Sequence, residues 1–231
     1  MNIYLWIIVA ALLLEYFLHT FSRFLDLKNL STVLPAEFVD YYSSEEYARS
    51  QQYLKENTRF TYITSTCDLF VILLVIFLGF FNIVDIWVRE FGFSPIVSGL
   101  LFFGVLFFIQ DILGTPFSLY NTFIIEEKFG FNKTSPKTYL IDKIKGYFLL
   151  IVFGGLVLSL VFFFFESFGH FAWFYAWALL SGFLVLIQPL FTLFIAPMFN
   201  TFTPLEDGEL KDRINTFADS VNFPISRIDV M

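Results

Sequence analysis

Between Glu166 and Glu206 the chain carries no Asp, Glu, Lys or Arg. Soluble domains use about 25% charged residues, so an uncharged run of this length has no place in one. Its closing part, PLFTLFIAPMFNTFTPL from Pro189 to Leu205, sets Pro189 and Pro197 inside a segment greasy enough for lipid. It reads as a hydrophobic rod, bent near its end and handed over to a water-soluble structure at one membrane face.

Four further stretches share this character. A bilayer-crossing helix needs roughly 20 mainly apolar residues, and the sequence offers them at about 3–21, 69–88, 95–120, 147–165 and 172–199. The chain is 57% hydrophobic and only 15% charged, which excludes a soluble domain and predicts an all-α integral membrane protein with five transmembrane helices. A net charge of −7 argues against nucleic acid, which needs a basic footprint. The single cysteine, Cys67, excludes an internal disulfide and a Cys-rich metal site, and is expected to be a small buried residue. The first basic residue, Arg23, follows the first apolar run, so that run reads as a retained anchor and not a cleavable signal.

Lys and Arg counts set the expected orientation. Thirteen of the fourteen fall in the first loop, the third loop and the tail, leaving Arg89 alone in the second. The positive-inside rule therefore places the N-terminus outside and the tail in the cytoplasm. Trp6, Trp87, Trp173 and Trp177 then all fall toward the outer interface, where indoles settle.

In the first loop, Ser43 and Glu46 have capping-box spacing ahead of a helix expected over about 44–60, which can run on into the second span. Its face at Tyr47, Tyr53 and Leu54 packs on a neighbour or lies at the headgroups. In the third loop Glu126-Glu127-Lys128 ends a helix, Gly130 and Asn132 turn the chain, and Ser135-Pro136 restarts it. In the tail Thr203 is the expected N-cap, with Pro204 at the first helical position and Glu206 three residues after the cap. Leu210, Ile214, Phe217, Ala218 and Val221 then form one apolar stripe. Residues 225–230 alternate like a strand with nothing to pair with. Residues 1–202 are thus expected to form a membrane domain, and 203–231 the truncated first helix and strand of a cytoplasmic one.

Ionisable residues within spans are functional candidates. Asp111, flanked by Gln110 and Gly114, is the leading one; a helix–helix hydrogen bond is the plain alternative. Glu15 and His19 stand four apart and share a helix face, as do Glu166 and His170, and both pairs suit snorkelling better than metal binding. A zinc-peptidase helix uses H-E-x-x-H. His19 precedes Thr20 and His170 precedes Phe171, so neither opens the motif.

Leu34-Pro35-Ala36-Glu37-Phe38, EEYARSQQYLKENTRF, PFSLYNTFIIEEKFGFNKTSPKTYLIDKIKG over 116–146 and PLFTLFIAPMFNTFTPLEDGELKDRINTFADSVNFPISRIDVM over 189–231 resemble the type I CAAX prenyl endoproteases. The resemblance covers essentially the whole chain, the first span least distinctively. It implies that the five helices are part of a helical membrane barrel around a water-filled chamber, with a zinc peptidase domain on the cytoplasmic side. Zinc is then expected in the intact protein, on two His of HExxH and a later Glu, with none bound by these 231 residues. The implied partners are the lipid bilayer, the missing C-terminal protease half and a peptide or prenylated CAAX-protein substrate. Pro197, Phe199, Asn200 and Phe202, with Asp111, are the expected substrate-chamber residues; Asn200 orients the peptide or caps the fifth span. Lys133 and the EEKFGFN segment are expected to brace the protease domain. The intact protein reads as a zinc metalloendopeptidase of a bacterial inner membrane or endoplasmic reticulum. The alternatives are a non-catalytic scaffold or lipid-handling protein and, less well matched, a transporter, since only one broken helix is visible.

Overall fold

The computed structural model describes residues 2–230. Among the described residues five helices are long and apolar enough to cross a membrane, the number expected: α1 Ile3–Asn29, α2 Ser44–Phe77, α4 Pro95–Phe129, α5 Pro136–Ser167 and α6 Gly169–Phe199. A shorter α3, Phe80–Arg89, follows α2, and the tail holds α7, Glu209–Ser220. Two short strands, β1 Thr203–Pro204 and β2 Asp229–Val230, form the only sheet among the described residues. Contacts divide the chain into two units, Met1–Tyr139 and Leu140–Met231.

In the first unit α1 and α2 run antiparallel, pinned by polar pairs. Tyr16 Oη and Thr66 Oγ1 are 2.7 Å apart, and Tyr62 Oη donates to the Thr20 carbonyl at 3.5 Å. Lipid tails are as apolar as leucine, so packing and such bonds, about 0.6–2 kcal/mol each, hold transmembrane helices together. Ser43 caps α2: its Oγ accepts from the Glu46 N–H at 3.1 Å and donates to Glu46 Oε2 at 2.9 Å.

α2 joins the expected helix over 44–60 to the first part of the second apolar stretch in one rod. The stretch expected over 69–88 breaks at Gly79, whose φ of 65° lies in the left-handed region that glycine alone visits freely. α3 turns away there and packs against α4, burying Val84 and Val88.

α4 starts at the cap Ser94 with Pro95 at its first position and carries a π turn at Asn121–Glu126. It ends at Phe129, ahead of Gly130 with φ 78°. This end docks on α2. The Arg49 guanidinium donates to the Phe129 carbonyl at 2.7 Å, Lys128 pairs with Glu56, and Tyr53 meets Phe129 and Phe131 edge-on. Of the face expected at Tyr47, Tyr53 and Leu54, Tyr53 therefore has its neighbour, while Leu54 is exposed.

In the second unit α5 contains a π turn at Leu150–Gly154. It packs against α6 through Phe164, Phe168 and Tyr175, with the small residues Ala172 and Ala176 buried on α6. α6 carries a third π turn, Phe191–Ile195, before its last turn, Ala196–Phe199.

The tail departs from expectation. Thr203 and Pro204 do not open a helix; they pair antiparallel with Val230 and Asp229. The Leu205 N–H donates to the Ile228 carbonyl at 2.9 Å, and Thr203 Oγ1 to that of Val230 at 3.4 Å. Proline's fixed φ suits an extended strand edge as well as a first helical turn, and pairing with the returning chain decides between them. The strand expected to lie alone thus has a partner within the chain. α7 begins only at Glu209, with Glu209 and Asp212 in its first turn, where a helix favours negative charge. Leu210, Phe217 and Val221 of its stripe are exposed, while Ala218 is buried.

Candidate functional site

Two places in the fold gather unusual chemistry. The first is the end of α6. Proline lacks an N–H, so Pro189 and Pro197 leave the carbonyls of Val185 and Leu193 without their usual partners. The π turn at Phe191–Ile195 lies between these prolines, and such turns recur at functional sites. Asn200 takes an extended conformation, φ −129° and ψ 147°, and its N–H closes the last turn on the Ala196 carbonyl at 3.0 Å. Its side-chain amide has no hydrogen-bond partner among the described residues. Phe199 is half-buried, Pro197 exposed, and Phe202 half-buried just before β1.

Lys145 of α5 holds this end. Its Nζ donates to the Met198 carbonyl at 2.7 Å, stands 5.2 Å from the Phe199 ring centroid and pairs with Asp142 at 3.1 Å. A cation at a helix C-terminus satisfies carbonyls that have no intrahelical donor and suits the helix dipole. In the sequence the lysines of this loop, Lys133 apart, enter only the count that sets orientation, which leaves Lys145 without a role. The signal was present in reverse: α6 ends without a charge of its own, so its C-terminal carbonyls call for a donor from elsewhere.

The second place is an open pocket of about 960 Å³ on the first unit, lined by residues of α1, α2, α3 and α4. Glu15 and His19, the pair read on one face of α1, both line it, together with Tyr16, Arg23, Asp68 and Gln110. Gly114 lines it as well; Asp111 does not. Asp111 is half-buried on α4, and its carbonyl accepts from Thr115 Oγ1 at 2.6 Å. Arg23 donates to Ser65 Oγ at 3.2 Å. Arg23, Glu15, His19 and Asp68 have no ion-pair partner among the described residues. Sequence reasoning missed Arg23 and Asp68 as wall residues. Residues 15, 16, 19, 20 and 23 of α1 are all polar at helical spacing, a wet face on an otherwise apolar rod, and that pattern could have found Arg23.

Neither place fits a metal. Among the described residues no three His, Cys, Asp or Glu side chains gather to hold an ion, so a zinc centre is not built from them.

Residues 23–201 match a family described as CAAX prenyl protease N-terminal, five membrane helices. The chain is 34% identical over 232 residues to a CAAX prenyl protease 1 homolog of Dictyostelium discoideum, covering 97% of this chain and 54% of that protein. It is 34% identical over 213 residues to CAAX prenyl protease 1 of Saccharomyces cerevisiae, covering 87% of this chain and 46% of the relative. Among solved structures it resembles the crystal structure of S. mikatae Ste24p, at 30% identity and a TM-score of 0.88, over 99% of this chain and 55% of that one. The chain spans about half the length of the curated relatives it matches.

Proposed function

The chain belongs to the CAAX prenyl protease N-terminal family, and from that premise we propose that it forms the membrane region of a zinc endopeptidase cleaving CAAX-type C-termini. The observation that carries this reading is the match to Ste24p over 99% of the chain, which includes the tail after α6 as well as the five spans.

On this reading the zinc, its HExxH ligands and the water-activating Glu belong to sequence outside residues 1–231. The described residues do not fit the metal, so no bond-breaking step is assigned to them. Their part is to admit and position the peptide. Pro197, Phe199, Asn200 and Phe202 act at the end of α6, where Lys145 fixes the last turn and the free Asn200 amide can bond a peptide backbone. Asp111 is a polar contact along α4. The N-terminus lies outside and the tail in the cytoplasm of an endoplasmic-reticulum-type membrane, as the distribution of lysine and arginine supports.

The test is hydrolysis of a farnesylated CAAX-ended peptide by the full-length protein in proteoliposomes. Release of the C-terminal tripeptide, abolished by a zinc chelator and restored by zinc, is expected. A full-length protein that is folded and zinc-loaded yet leaves the peptide intact would overturn the enzyme reading in favour of a non-catalytic scaffold.

A further inference from the structure

The open pocket of the first unit changes character along its length. On α2, Ser65, Thr66 and Asp68 line it ahead of Leu69, Ile72 and Val75. On α1, which runs the opposite way, Leu12 precedes Glu15, His19 and Arg23. The C-terminal end of α4 docks on the start of α2 through Phe129 and Arg49, so α4 also runs against α2. There Leu106 and Ile109 precede Gln110, and Leu113 and Phe117 add apolar wall beyond it. Three helices therefore agree on which end holds the polar groups. The charges are gathered at that end: the Arg23 guanidinium donates to Ser65 Oγ at 3.2 Å, and Tyr16 meets Thr66 beside it at 2.7 Å. Glu15 and Asp68 stand within one helical turn of these contacts. Arginine carries five N–H donors, and Arg23 is seen to use one, on Ser65. Unpaired ionisable groups at membrane depth require water or a ligand of opposite charge. Here an anion and a cation are called for side by side. From Ser65 to Val75 the pocket follows α2 for about 15 Å at 1.5 Å per residue. That length is about half of the ~30 Å hydrocarbon core, one leaflet's share.

We propose that this pocket binds a phospholipid with an ethanolamine headgroup, its phosphate on Arg23, its ammonium on Glu15 and Asp68, and an acyl chain along Leu69, Ile72 and Val75. In that headgroup two carbons separate the phosphate ester from the ammonium, so both charges sit at one end of the molecule, as they do in the pocket. The free N–H groups of Arg23 match phosphate oxygens, for which a guanidinium fork is well shaped. Two carboxylates accept hydrogen bonds from an ammonium that carries N–H groups. A choline headgroup has none, and its quaternary nitrogen is recognised by aromatic faces instead. A serine headgroup would set a third carboxylate against Glu15 and Asp68, where like charges repel. A volume of about 960 Å³ lies at the upper end of the usual range for ligand sites. It receives the headgroup and one chain, and the open side leaves the second chain to the bilayer. This site rests on no step of the peptide cleavage proposed above.

The experiment is native mass spectrometry of the full-length protein, delipidated in detergent and titrated with dioleoyl phosphatidylethanolamine and with the matching choline, serine and glycerol lipids. The ethanolamine lipid is expected to bind about tenfold more tightly than the other three. Arg23→Ala should weaken all four lipids about tenfold, because each carries the phosphate. Glu15→Gln with Asp68→Asn should weaken the ethanolamine lipid down to the level of the choline lipid and leave the choline lipid unchanged. This second variant serves alone if the Arg23→Ala protein is not monodisperse. Equal binding of the four lipids, tighter binding of the serine or glycerol lipid, or affinities unmoved by these substitutions would overturn the proposal. So would free phosphoethanolamine binding as tightly as the lipid, since the chain would then have no place in the site. Cleavage of a prenylated peptide is scored separately: lipid selectivity without cleavage leaves this site standing and removes the protease reading, and cleavage without lipid selectivity does the reverse.

Discussion

Lys145 shows how one side chain completes an element that its own sequence leaves open. The hydrogen bond to the Met198 carbonyl is charge-assisted, and the ammonium also lies beside the Phe199 ring. Lys145→Ala is expected to free the last turn of α6 at a cost of about 1 kcal/mol, below the 1.5–3 typical of charged hydrogen bonds because water reaches the pair. Hydrogen exchange should show it, with the Asn200 amide exchanging several-fold faster; unchanged exchange would refute the bracing role. In the tail, Lys211 stands 2.7 Å from Asp207 and holds its carboxyl below the ordinary value, by hydrogen bond first and charge second. Because the folded value is the lower one, the pair adds stability above the unfolded carboxylate range, near ~3.9, and that contribution fades as pH falls through the folded value. A carbon-13 titration should give Asp207 a lower midpoint in the native protein than in Lys211→Ala, and coincident midpoints would contradict the contact. Neither pairing was legible in the sequence as function. The Asp207–Lys211 spacing is a common helix pattern, and Lys145 reaches its partner fifty-three residues away.

At the scale of elements, the apolar runs were readable because each spans a bilayer with scarcely a charge, and the caps at Ser43 and Gly130 because their chemistry is local. The π turns at Asn121–Glu126, Leu150–Gly154 and Phe191–Ile195 were not, since one surplus residue leaves hydrophobicity unchanged. Nor was β1: Thr203-Pro204 suits a helix start locally, and only pairing with Asp229 and Val230 decides otherwise. Gly79 and Gly130 offer a paired test. Alanine at either takes a left-handed backbone at about 1–2 kcal/mol. At Gly79 a Cβ meets nothing within 4 Å, whereas at Gly130 it stands 3.3 Å from Arg49 Nη2. Gly130→Ala should therefore lower the melting temperature more than Gly79→Ala, by the equivalent of about 1 kcal/mol for the disturbed bond to Phe129. Equal shifts in detergent would show that the Arg49 contact contributes nothing.

For the whole molecule, the distribution of lysine and arginine predicts that Glu37 and Lys211 face the same compartment. Single cysteines at these positions, in a Cys67→Ala background, should both react with an impermeant maleimide from the cytoplasmic side only; labelling from opposite sides would refute the proposed topology, and labelling of both from the other side would invert it. The pairing of β1 with β2 has its own consequence at this scale. It returns the chain at residue 230 to within a few residues of where α6 ends, so everything from Leu205 to Ile228 is a closed detour hung from one clasp. Slack added inside such a loop does not travel: a flexible insert at Gly208 would enlarge the detour and leave both its anchor and the neighbouring span where they are.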